Sequence, residues 1–450
     1  MSTGKDTILH GKVFAPLLKF AIPLMLTILL QALYGAVDMI VVGKFGDTSS
    51  VSAVSNGSQI MITITEIVVG LTMGVTVLIG RFVGANDDEN AAKTVGGMIK
   101  LFFVVGLLIS VFMAVFTDEI VDLMKVPAEA VEKTIAYVRI CGAGMIFITA
   151  FNVISGLFRG LGNSKSPLLF ITIACVINIF GDLLLCGVFK MDTSGAAIAT
   201  VFAQAVSVAF SIYKMKKDGL PFRVKKRHLT KTSSAQKNII KVGAPVALQD
   251  FLTSVSFLVI MAIINKIGLV ASASVGISER LFIFLALVPI SFMYALSAFV
   301  AQNVGAKQED RAIKGLRVGM ITSFAFGIVM AVLTYFAGDF LARIFEDDSV
   351  VIASAWSYMR GTAAEFMVVP FVFCFLGYFN GIGKTTFVMI EGLIASFVVR
   401  IPLCYFLSTR PATNLFLIGL AVPISTVSSI LMCVGYYIFV RKKRLAMHEL

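Results

Sequence analysis

Apolar runs of roughly 20 residues recur from one end of this chain to the other, each long enough to cross a ~30 Å hydrocarbon layer as a helix. The runs do not alternate polar with apolar residues, so they lack the period-two pattern that a closed membrane barrel requires. Composition agrees: 58% of the residues are hydrophobic and 14% charged, too few charges for an ordinary water-facing surface. Twelve spans are expected near 15–38, 52–79, 95–117, 134–156, 168–189, 194–213, 242–264, 272–300, 316–337, 355–377, 386–408 and 415–440. The six cysteines stand singly in apolar segments and there are three histidines, which argues against a disulfide framework and a structural zinc site.

The net charge of +12 is distributed by side rather than gathered in a patch. With the amino terminus in the cytoplasm, 26 Lys and Arg fall in segments on that side, against seven on the other. This bias predicts both termini inside and an even number of crossings. Ten of the 26 lie between Lys214 and Lys241, a stretch read as a topogenic linker attracted to anionic lipid, with no nucleic-acid role.

The chain is duplicated. RFVGA at 81–85 returns in AQNVGA at 301–306 with the glycines 221 residues apart, each copy followed by a charged turn. Gly156, Gly160 and Gly162 return at the same spacing as Gly377, Gly381 and Gly383, and KFAIP at 19–23 returns as KVGAP at 241–245. Because each copy holds an even number of spans, both enter the membrane from the same side. The expected organisation is an amino-terminal lobe at 1–213, a basic cytoplasmic linker at 214–240 and a carboxy-terminal lobe at 241–450. The fold class is therefore an all-α polytopic membrane protein, with two parallel six-helix bundles around a central cleft. Pro23 and Pro245 recur early in the first helix of each lobe and are candidate bending points. The matched glycines around 156–162 and 377–383 are expected to form tight cytoplasmic helix ends.

Chemistry is sought where the copies differ. Asp38 has Ile260 as its repeat partner, and a carboxylate at that depth must face protein, water or an ion rather than lipid. Asn178 and Asp182, spaced i,i+4 on one helical face, correspond to Val399 and Leu403. Thr200 adds a hydroxyl. Two carboxylates, an amide oxygen and a hydroxyl suit a hard cation, or a proton shared between carboxylates; the plainer reading is polar packing between helices.

With these features in view, the chain closely resembles the multidrug and toxic compound extrusion (MATE) transporters over almost its whole length. The glycine-alanine pairs Gly84-Ala85 and Gly305-Ala306 are further marks of that resemblance, although Gly80-Arg81 replaces the commoner polar residue before the first. In that family the first-helix proline, the aspartate fifteen residues later, the helix-5 Asn and Asp pair and the helix-6 threonine form the amino-lobe cation site. The resemblance thus implies a site at Pro23, Asp38, Asn178, Asp182 and Thr200, taking sodium or protons, with no cofactor. Gln31, Tyr34, Glu66 and Glu365 are candidates for the substrate cavity, although none of the second-lobe acids Asp250, Glu279, Glu365 and Glu391 aligns with a family pattern. Glu279 stands next to Arg280 as a neutralised pair, and Glu391 lies nine residues from Arg400, too far to pair within one helix.

The expected function is cation-coupled antiport that exports organic cations or drug-like compounds by alternating access, from a monomer in a bacterial or archaeal cytoplasmic membrane with lipids as its neighbours. The second reading is a flippase for a lipid-linked precursor. It calls for a strongly basic cavity, yet only Lys100, Arg139, Arg280, Arg360 and Arg400 lie near helices. An enzyme is not expected: no phosphate-binding loop, no HExxH and no nucleophile elbow are present. The charge bias makes a direct prediction. A cysteine placed at position 226 (Lys226→Cys) should resist membrane-impermeant maleimide in intact cells and react in inside-out vesicles; strong labelling from outside would reverse the topology.

Overall fold

The computed structural model describes residues 8–230, 232–410 and 414–448. Among the described residues every regular element is helical. Ten helices are long and apolar enough to span a membrane, and two bent pairs bring the number to twelve. In chain order these are α1 (Phe14–Phe45), α2 (Thr48–Gly84), α3 (Asp88–Leu123), α4 (Ala128–Ala143 with Met145–Gly160), α5 (Lys165–Val188) and α6 (Asp192–Asp218). The second set is α7 (Ser233–Asn265), α8 (Leu269–Leu285 with Leu287–Gly305), α9 (Glu309–Ala342), α10 (Ser349–Thr362 with Glu365–Gly381), α11 (Thr385–Ser408) and α12 (Leu415–Lys442). Each of the twelve segments expected from hydropathy falls on one of them.

The duplication extends to details of the backbone. α4 bends by 53° and α10 by 52°, one in each copy. Both helices then end in the same hydrogen-bonded turn: Gly162 donates to Arg159 O and Asn163 to Phe158 O, as Gly383 donates to Asn380 O and Lys384 to Phe379 O. Gly162 (φ 79°) and Gly383 (φ 74°) take the left-handed conformation that this helix stop requires. The glycine expectation therefore divides. Gly162 and Gly383 make the tight ends, whereas Gly156 and Gly377 lie inside the helices and let a neighbour approach. A side chain on Gly156 would strike Thr72, whose helix is further tied by Thr76 Oγ1 donating to Gly156 O at 3.0 Å. The ends of α2 and α8 repeat the same turn with Asn86 (φ 56°) and Lys307 (φ 58°) in the strained position.

By proximity the chain separates into two compact units, Met1–Ala247 with Ala301–Gln308 and Leu248–Val300 with Glu309–Leu450. The basic segment and the first half of α7 thus pack with the first unit. There a short helix, Lys226–Thr230, lies on α3 and buries His228, whose Nε2 is 3.2 Å from Glu89 while Arg227 meets the same carboxylate at 2.7 Å. At the opposite end of this unit Asp47 caps α2 by accepting from Ser50 N at 2.8 Å. Lys133 reaches both Asp47 (2.8 Å) and Asp192 (2.9 Å), joining α4 and the start of α6 to that cap. The Lys133 ammonium holds the exposed Asp47 carboxyl well below the usual carboxylate range.

α1 passes Pro23 as one helix, and α7 passes Pro245 likewise. Thr27 Oγ1 donates to Pro23 O at 2.8 Å, a side-chain bond into the backbone ladder at the point that proline weakens.

The repeated helix stops give opposite predictions for two substitutions. Gly383→Ala should lower stability by about 1–2 kcal/mol, since a Cβ is disfavoured at positive φ. Lys307→Gly should raise it by up to about 1 kcal/mol, with fluorescence-monitored unfolding in detergent as the readout.

Candidate functional site

The polar residues that distinguish the first repeat meet inside it. Asp38 comes from the second half of α1, Asn178 and Asp182 from α5 and Thr200 from α6; the first three are buried among otherwise apolar helices. Thr200 Oγ1 donates to Asp38 Oδ2 at 3.3 Å, and Asn178 Nδ2 donates to Thr200 Oγ1 at 3.4 Å. The Asp182 carboxyl is an electrostatic neighbour of Asp38, and neither of its oxygens has a hydrogen-bond partner among the described residues. The i,i+4 spacing on α5 does what its geometry requires and aims both side chains at the same neighbours. Directly after Asp182 the helix widens into a π-turn, Leu183–Val188.

The supply of acceptors exceeds the supply of donors. Asp38 Oδ1, Asn178 Oδ1 and both carboxyl oxygens of Asp182 are buried with no hydrogen-bond donor among the described residues. Two buried carboxylates this close require a proton, a cation or further donors between them, because neither can stay charged and unpaired away from water. Oxygen alone, with hydroxyl and amide beside carboxylate, is the donor set of a hard cation rather than of a transition metal. Among the described residues no group of three His, Cys, Asp or Glu is placed to hold a metal ion.

Of the cavity candidates on the first lobe, Tyr34 stands one turn from Asp38 on α1, and its buried hydroxyl has no hydrogen-bond partner among the described residues. Gln31, one turn earlier on α1, is exposed, and Glu66 sits half-buried in the middle of α2.

A second polar constellation lies wholly within the second unit, and only part of it was legible beforehand. A cavity of about 210 Å³ is lined by Glu279 of α8, Tyr358 and Glu365 of α10, Glu391 and Arg400 of α11, and Thr426 of α12. Glu365 opens the second half of bent α10, where the helix dipole favours a negative charge, and accepts from Thr426 Oγ1 at 2.9 Å. Glu279 does not make the expected pair with Arg280 among the described residues. It accepts from Tyr358 OH at 3.4 Å and faces the cavity, while Arg280 is exposed.

Arg400 also stands elsewhere than helical spacing implies. Nine residues at 3.6 per turn make about two and a half turns and put Glu391 and Arg400 on opposite faces. Between them, however, Ile394–Arg400 is a π-helix, whose wider turn changes the phase and brings both onto one cavity. Asp250, half-buried on α7, does not line this cavity.

A duplicated set of twelve helical spans, with charged side chains clustered inside each half, is the architecture of a membrane transporter rather than an enzyme. The chain belongs to the MatE family, the multidrug and toxic compound extrusion transporters: the family model matches twice, at residues 23–184 and 245–406, once in each repeat. It is 26% identical over 464 residues to the probable multidrug resistance protein YoeA of Bacillus subtilis, covering 99% of this chain and 98% of that one. A protein of Shewanella oneidensis described as an FAD transporter is 25% identical over 354 residues, covering 76% and 77%. Among solved structures, MATE in the bent conformation superposes with a TM-score of 0.90 at 21% identity over 100% of this chain and 99% of that one. A MOP superfamily transporter from Pyrococcus furiosus superposes with a TM-score of 0.91 at 20% identity, again over 100% and 99%.

The hydroxyl of Thr200 links Asn178 to Asp38, which makes it the test of this packing. Thr200→Val keeps the volume but removes both bonds, and should destabilise the protein by about 1–3 kcal/mol in detergent unfolding, with Thr200→Ser close to wild type.

Proposed function

We propose that this transporter is a cation-coupled antiporter that exports organic cations or drug-like compounds. Asp38, Asn178, Asp182 and Thr200 form its coupling site, and the coupling ion is sodium or a proton. The observation that carries the reading is the convergence of these side chains from α1, α5 and α6, with buried oxygens that lack donors. One charge moving down a 100 mV potential releases about 2.3 kcal/mol, enough to drive export without a nucleotide. Their second-lobe counterparts, Ile260, Val399 and Leu403, cannot hold an ion, so this site exists once.

In this reading export proceeds by alternating access. Pro23 and Pro245 are the points where α1 and α7 change shape, an idea in keeping with relatives solved in straight and bent conformations. Gln31, Tyr34, Glu66 and Glu365 contribute to the path of the cargo. The protein works as a monomer in the cytoplasmic membrane with both termini inside. The acidic character of both internal clusters favours a cationic cargo over the phosphate-bearing headgroup of a lipid-linked precursor, and over a dinucleotide such as the one named for the Shewanella relative.

Proteoliposomes loaded with an ethidium-type dye provide the test. Dye movement should follow an imposed sodium or proton gradient, each applied separately. Asp38→Asn and Asp182→Asn should reach the membrane and fold, yet lose gradient-driven transport by at least about tenfold, whereas Thr200→Ala should be milder because it removes a neutral ligand. Asp38→Asn transport at the wild-type rate with unchanged ion dependence would refute the site, and equal movement with gradients present and collapsed would refute the coupling.

A further inference from the structure

The second-lobe cavity carries a cation of its own. Among the residues that line it, Arg400 is the sole basic side chain, facing Glu279, Glu365 and Glu391. Two of these acids are nearly inaccessible, Glu365 and Glu391 each being 2% exposed. Each keeps its Oε2 buried without a hydrogen-bond donor. Thr426 donates to the other oxygen of Glu365, and Ser429 lines the same cavity. These acids therefore stand among neutral hydroxyls and are left with open acceptor positions. A carboxylate so placed inside a lipid-embedded bundle needs a positive charge nearby, and Arg400 acts electrostatically on all three.

The guanidinium of this half-buried arginine is loosely held. Its direct partners among the described residues are the hydroxyl of Ser425, to which Nε donates at 3.0 Å, and the ring of Phe257, whose centre is 5.7 Å away. A bidentate pair with one glutamate would hold it far more firmly, since such forks are the strong form of the arginine–carboxylate bond. Here the charge is shared across the cavity, and the aromatic face supplies a weak attraction that any delocalised cation could take over. The π-helix that carries Arg400 into this position puts it on a segment whose hydrogen bonding already departs from the regular ladder.

We propose that Arg400 is the resident counter-cation of this cavity, and that a compact, delocalised organic cation of the guanidinium or amidinium class binds by displacing it beside Glu365 and Glu391. The idea deepens the organic-cation reading and rests on it. It gives the empty transporter an internal competitor for its cargo: the acids are neutralised when no cargo is present, and cargo must outbid the arginine. Affinity is then set by the strength of the arginine's hold as well as by the cargo's own contacts.

The test uses full-length protein in detergent, with benzamidinium as the probe. Removing the competitor should tighten binding: Arg400→Gln is expected to lower the Kd by about tenfold, and Arg400→Lys, which keeps the charge, to stay near wild type. The gain should vanish when Glu365→Gln or Glu391→Gln is added to Arg400→Gln, and should survive Asp38→Asn. In a second arm, guanidinium chloride at about 10 mM, against sodium chloride at equal ionic strength, should raise the unfolding midpoint of Arg400→Ala by a few degrees and leave wild type unchanged. If Arg400→Ala does not fold, Arg400→Gln serves in that arm.

The two proposals fail separately. Wild-type protein that transports no cation under any gradient overturns the exporter reading, while guanidinium rescue still upholds Arg400 as the cavity's counter-cation. Protein that exports dye normally, but whose Arg400→Gln variant binds benzamidinium no more tightly or less tightly, overturns the displacement.

Discussion

Everything in this chain answers to one constraint: in hydrocarbon, each backbone N–H and C=O must find its partner inside the protein. The helix satisfies this requirement within a single segment, so the chain becomes a succession of helices. Irregular backbone is confined to a few places, and three of them are next to chemistry. α10 breaks immediately before Glu365, α5 widens immediately after Asp182, and α11 widens immediately before Arg400 ends the π-turn. Where the ladder is disturbed, a polar side chain can be turned inward and backbone groups are freed to adjust around it.

The same constraint explains why the two repeats resemble each other in scaffold and differ in chemistry. Helix stops, bends and glycine contacts solve the problem of packing helices in lipid, and both copies keep the same solution, down to the left-handed residues at 162 and 383. Charged side chains are costly there and are retained only where something offsets the cost. The first lobe gathers its acids from α1 and α5, and the second gathers its own from α8, α10 and α11. Duplication thus supplied two equivalent scaffolds, and the burial of charge made them unlike.

The fold was legible because hydrophobic length and side-of-membrane charge act over 20-residue windows, which average out local exceptions. The first-lobe cluster was legible for a local reason: Asn178 and Asp182 share a face by ordinary helical spacing, and Asp38 and Thr200 have no polar counterparts in the other repeat. The second cluster was largely hidden. Its glutamates stand singly in the sequence, and the expected pairing of Glu279 with Arg280 fails because adjacency along the chain says nothing about which face a helix presents. Glu391 and Arg400 make no direct pair among the described residues, as their separation implies, yet the widened turn between them brings both onto one cavity, which residue spacing does not reveal. Tyr358, Ser425 and Thr426, whose hydroxyls complete the second cluster, carry no signal of their own in an apolar run.

The π-turn in α11 bears on which side chains share a face. A widened turn takes up one extra residue, so the side chains beyond it keep the phase they would have without that residue, whereas in a regular α-helix the same residue would rotate them by about 100°. Glu391 and Arg400 therefore share a cavity at a separation that regular winding would place on opposite faces. Counting residues along the chain is blind to such a turn, because what decides the contact is the angle between two side chains and not the number of letters between them.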